Sequence, residues 1–103
     1  MNLTVLTPDK EVFLGTIKSV KVPGSDGQFQ ILNNHAPLVA SLDSGDVFIV
    51  TGDGEFQLYN AESKGLAPST GAGKTISFNV IGGFIEVLNN KVSLLVSGVK
   101  DIK

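Results

Sequence analysis

Apolar residues recur at every second position along most of this chain, and the 3.6-residue spacing of an amphipathic helix is nearly absent. Ile76, Phe78 and Val80 share one face of such a segment, with Ser77 and Asn79 on the other. Val92, Leu94 and Val96 repeat the pattern opposite Ser93 and Ser97. Side chains alternate across a strand, so this pattern predicts strands with one face buried. Turn signals cut the alternation at short intervals: Pro8-Asp9, Pro23-Gly24-Ser25-Asp26-Gly27, Asp43-Ser44-Gly45, Gly52-Asp53-Gly54 and Gly82-Gly83. Asn89-Asn90 between two strand patterns suits a two-residue hairpin turn with positive φ. Residues 11–22 read as one long strand whose phase slips, with Ile17 in one register and Val20 and Val22 in the other; a bulge near Lys18-Ser19 accounts for the slip. Residues 60–73, polar and glycine-rich with Pro68, read as an exposed loop. Val99–Lys103 is too short for a stable helix. The fold class that follows is all-β, a flattened antiparallel sandwich or barrel of about nine or ten short strands.

With 103 residues, one domain spanning 1–103 is expected. There is no Cys, hence no disulfide framework, thiolate metal site or cysteine nucleophile. The single His rules out a multi-histidine metal centre. All eight basic residues are Lys, and the net charge is -2. That balance carries no nucleic-acid footprint, and the absence of Arg weighs against phosphoryl-transfer chemistry. The longest apolar run, Val47-Phe48-Ile49-Val50, is far short of a membrane span, so no direct membrane insertion is expected. The opening MNLTVLTPDKE lacks the basic and apolar regions of a signal peptide.

Three patterns hint at chemistry, and each has a plainer reading. Gly71-Ala72-Gly73-Lys74-Thr75 ends like a phosphate-binding P-loop, yet the first glycine of that motif falls on Pro68, and a strand pattern follows where a helix is required. It reads as a decoy, a glycine-rich loop. His35 has Ser41, Ser44 and Asp43 nearby in sequence but no nucleophile elbow around them, so it reads as a loop residue that orders its own turn or meets a partner. Asp26, Asp43, Asp46, Asp53 and Glu55 lie beside glycines without EF-hand spacing, and turn chemistry explains them. No catalytic residue, cofactor site or metal site emerges, which leaves a binding role by elimination.

Residues 20–45, VKVPGSDGQFQILNNHAPLVASLDSG, resemble the signature region of the epsilon subunit of F-type ATP synthases (delta in mitochondria). Gly24-Ser25, Gly27, Ile31 and His35-Ala36-Pro37-Leu38 carry the likeness. Gly82-Gly83-Phe84-Ile85-Glu86-Val87 with Asn90-Lys91-Val92-Ser93-Leu94-Leu95 resembles that family's closing strands, and Leu3-Thr4-Val5…Val12-Phe13-Leu14-Gly15 its opening. Gln30 stands where the family often has glycine, and Gln28 where some members carry an acid. Residues 53–74 look like an insertion or extended loop, longer than the family's usual hairpin; Phe56 and Leu58 suit an extra hairpin within it.

The resemblance implies a non-catalytic rotor subunit in the central stalk of a proton-translocating synthase. It implies a peripheral membrane complex on the cytoplasmic face of the bacterial inner membrane, where proton flow is coupled to ATP synthesis. It implies a gamma-subunit interface at His35, Ala36, Pro37, Leu38 and Leu42, with the Pro37-Leu38 step as apolar anchor. It implies contact with the polar loops of the c-ring at Ser25, Asp26, Gly27 and Gln28. Family members usually continue into two C-terminal helices; if Lys103 is the natural end, the inhibitory switch formed by those helices is expected to be missing. The alternative is a small sandwich module that binds a ligand or carbohydrate, disfavoured by the absence of Trp and the single Tyr59.

Overall fold

The computed structural model describes residues 1–103 as ten strands without a helix. These are β1 (Asn2–Leu6), β2 (Glu11–Gly24), β3 (Gly27–Leu32), β4 (Leu38–Leu42), β5 (Gly45–Asn60), β6 (Gly65–Thr70), β7 (Thr75–Val80), β8 (Gly83–Leu88), β9 (Lys91–Val96) and β10 (Val99–Lys100). Hydrogen bonding runs in the order β1-β9-β8-β4-β2-β5-β7-β10, with β3 added to β2 and β6 to β5. Because β1 also pairs with β2, the path β2-β1-β9-β8-β4-β2 closes on itself, and closure removes edges that would otherwise invite aggregation. Every pairing is antiparallel except β1 with β9, which is parallel. That single parallel pair sits within an otherwise antiparallel arrangement, as expected of the fold class. It arises because the N-terminal strand is slotted between β2 and β9, whose directions are opposed, and must run against one neighbour and with the other.

The alternation becomes the core. Twenty hydrophobic residues are buried in one cluster, among them Leu3, Val5, Val20, Val22, Ile31, Val47, Ile49, Phe78, Ile85 and Leu94, each with no exposed surface or almost none. The phase slip in β2 is a pair of register shifts against β5, between Gly15 and Ile17 and between Ile17 and Ser19. The shifts let both halves of this 14-residue strand present apolar side chains inward. The Asn89-Asn90 turn has φ of 50° and 61° and joins Leu88 to Lys91, the two positive angles that a two-residue hairpin of this hand requires.

Residues 65–70, expected within a loop, form β6 and pair along β5 from Glu55↔Thr70 to Asn60↔Gly65. Only the turns on either side of β6 are irregular. Phe56 anchors this hairpin: it is buried and stacks on Phe13, with ring centroids 5.6 Å apart. Lys10 caps the far end, its Nζ 4.5 Å from the centre of the Tyr59 ring.

Candidate functional site

Ser25 and Asp26 form the tip of the β2–β3 hairpin, between the paired residues Gly24 and Gly27. Gly27 takes φ 122°, a value side-chain-bearing residues avoid. The tip is tied to β4. The Ser25 amide donates to the Ser41 carbonyl (3.1 Å) and the Asp43 amide to the Pro23 carbonyl (2.8 Å). The Ser25 hydroxyl lies 3.3 Å from both Ser41 Oγ and Asp43 Oδ1. Ser25, Asp26, Gly27 and Gln28 are all exposed.

The second expected contact, His35-Ala36-Pro37, lies in the segment between β3 and β4, where no strand pairing exists, and all three residues are exposed. The His35 amide donates to the Leu32 carbonyl (3.2 Å), and its Nδ1 lies 2.7 Å from the Ala36 carbonyl. A carbonyl can only accept, so Nδ1 carries the proton and Nε2 is left free. Ser41 and Asp43 bond to Ser25 instead, and no nucleophile reaches the imidazole.

The fold brings the β2–β3 tip beside Leu38, while His35, Ala36, Pro37 and Leu42 lie outside the groove that the two form. Residues 24–29 and 38–41 line one shallow, open groove of about 590 Å³. The β2–β3 tip and β4, apart in sequence, are the two walls of this groove. Phase along β4 decides which side chains face solvent. Leu38 packs partly against the core and Leu42 is buried within it, so Leu42 supports the strand from inside and offers no surface of its own. Val39 points outward and is 69% exposed. Val39 was missed because Leu38 and Val39 are equally apolar in sequence; only the register with β8, Val39↔Glu86, separates them. Phe84 and Leu95, exposed neighbours across β8 and β9, extend the apolar character of this outer face.

The P-loop-like run is a structural turn. Gly71 and Gly73 take φ of 127° and 73°, and β7 begins at Thr75 with no helix behind it. The turn is strapped to Thr51, which is fully buried. Thr51 Oγ1 donates to the Gly71 carbonyl (2.6 Å) and accepts from the Lys74 amide (2.9 Å), while the Gly73 amide donates to the Thr51 carbonyl (2.8 Å). Two of the amides that would cradle a phosphate in a P-loop, those of Gly73 and Lys74, are thus occupied within the fold.

The family model described as "ATP synthase, Delta/Epsilon chain, beta-sandwich domain" matches residues 1–72. An ATP synthase epsilon chain of Leptospira borgpetersenii is 39% identical over 92% of this chain and 59% of its own length. One from Chlorobium limicola is 39% identical over 94% of this chain and 89% of its own. The chain therefore spans little more than half of the first relative and nearly all of the second. Among solved structures, a chain in the Euglena gracilis mitochondrial ATP synthase superposes with a TM-score of 0.70 at 18% identity, covering 95% of this chain and 51% of that one. A chain in the central stalk and c-ring assembly of the Tetrahymena thermophila enzyme gives 0.64 at 18% identity, covering 98% and 66%. At that identity these likenesses speak to the fold alone, and they agree with the ten-strand architecture. On the family match and the identity to epsilon chains over nearly its whole length, this chain belongs to the ATP synthase delta/epsilon family and comprises its β-sandwich domain.

Proposed function

We propose that this chain is a non-catalytic element of the central stalk of a proton-translocating ATP synthase, gripping the gamma subunit with one surface and the polar loops of the c-ring with another. The observation that carries this reading is its identity to epsilon chains over almost its full length. The closed, densely packed sandwich supports it, because torque transfer needs a stiff body. The β2–β3 tip at Ser25–Gln28 is the ring contact. His35, Ala36, Pro37 and Leu38 are the gamma contact, with exposed Val39 as its apolar anchor and Leu42 holding β4 from inside. An interface of this kind buries on the order of 1,000–2,000 Å². The setting is a membrane-bound complex, on the cytoplasmic face of the bacterial inner membrane, in keeping with bacterial relatives at 39% identity.

The test is reconstitution. The purified chain is mixed with its cognate gamma subunit and, separately, with the gamma–c-ring subcomplex, and co-elution is followed by size exclusion. Stoichiometric capture in both mixtures is the expected result. Failure to bind either, by a chain that is folded by circular dichroism, removes the assignment.

A further inference from the structure

We infer that Asn90, in the β8–β9 turn, is the residue that holds the His35–Leu38 segment in its docking conformation; this rests on the proposed gamma contact. The segment between β3 and β4 has no neighbouring strand to supply its hydrogen bonds. The carboxamide of Asn90 stands in for one. Its Oδ1 accepts from the Asn34 amide (2.8 Å), and its Nδ2 donates to Asn33 Oδ1 (2.8 Å). One planar amide thus presents a donor and an acceptor side by side, as a peptide unit in a ladder would. The Asn90 backbone carbonyl meanwhile accepts from the Asn2 amide (3.2 Å), and the N-terminal ammonium lies 3.4 Å from Asn33 Oδ1. Asn34 has φ 63°, so the chain turns sharply at the clamped residue and directs His35, Ala36 and Pro37 toward solvent.

The chemistry is specific to asparagine at this position. Asn90 itself has φ 61°, which Asn and Gly tolerate and most residues do not. Aspartate keeps the acceptor for Asn34 but loses the donor for Asn33. Glycine keeps the turn and loses both bonds. A segment without the clamp must be ordered at the moment of binding, and that ordering entropy weakens the complex.

Two measurements on Asn90→Gly test this: hydrogen exchange at the Asn34 amide, and affinity for the cognate gamma subunit, with Asn90→Asp as the conservative variant and Val39→Asp as a reference for the contact itself. Expected in Asn90→Gly are exchange at Asn34 faster by about tenfold, the factor one ordinary hydrogen bond contributes, and a comparable loss of affinity. Asn90→Asp should recover part of both. Unchanged exchange at Asn34 overturns the clamp. Faster exchange with undiminished affinity, while Val39→Asp still weakens binding, overturns the positioning role and leaves the gamma contact standing. If neither Asn90→Gly nor Val39→Asp alters affinity, the contact assignment falls and the inference with it.

Discussion

A methyl group added to Gly15 would sit 2.5 Å from Phe56 Cβ and 2.9 Å from Phe56 Cα, because the two residues are paired across β2 and β5. That space is what lets Phe56 lean diagonally onto Phe13. Gly15→Ala is expected to destabilise the fold by about 1–3 kcal/mol, the usual cost of forcing extra volume into a packed site, read as a lower urea midpoint. Thr51 is the second residue on which much depends. Thr51→Val removes the hydroxyl and strands the Lys74 amide and the Gly71 carbonyl, at a cost of about 1–3 kcal/mol; nucleotide binding, assayed in parallel, should be absent before and after. The sequence exposed the P-loop likeness as a decoy through Pro68 and the strand that follows. It could not show Thr51 strapping that turn, since 20 and 23 positions separate the partners and nothing local records the pairing.

Among the elements, the β5–β6 hairpin shows where pattern reading stops. Phe56 and Leu58 alternate with polar residues and were legible as strand, whereas Gly65-Leu66-Ala67-Pro68-Ser69-Thr70 carries no period-two signal. An edge strand with a single neighbour has little to bury, so it needs no such signal, and its Pro68 is tolerated because one side lacks a ladder. Phe56→Ala should cost about 3–5 kcal/mol, as for other buried aromatic truncations. The hairpin should loosen as well, with faster tryptic cleavage after Lys64 than in the parent chain. The long-strand reading of 11–22 and its bulge came through because β2 buries side chains from one end to the other, and burial is what imposes pattern.

For the whole molecule, period-two alternation was sufficient to specify an all-β body, while the closure of its strands into a ring was hidden in pairings remote in sequence. The groove between residues 24–29 and 38–41 is a product of that closure, and nothing local in the sequence records that its two walls are neighbours. Val39→Asp should leave the thermal midpoint nearly unchanged, within about 0.5 kcal/mol of parent stability as for other surface changes, yet reduce capture of the gamma subunit by about tenfold or more, a loss typical of an interface anchor. Amide exchange across the chain should be slowest in β2 and β5, each flanked by partners on both sides, and fastest in β10. The 14-residue strand β2 runs from the β1–β2 turn to the β2–β3 tip, bonded to β1 and β3 along one flank and to β5 and the end of β4 along the other. A pull applied at that tip along the strand axis acts in shear, so the ladders on both flanks resist together and none can be peeled open one rung at a time.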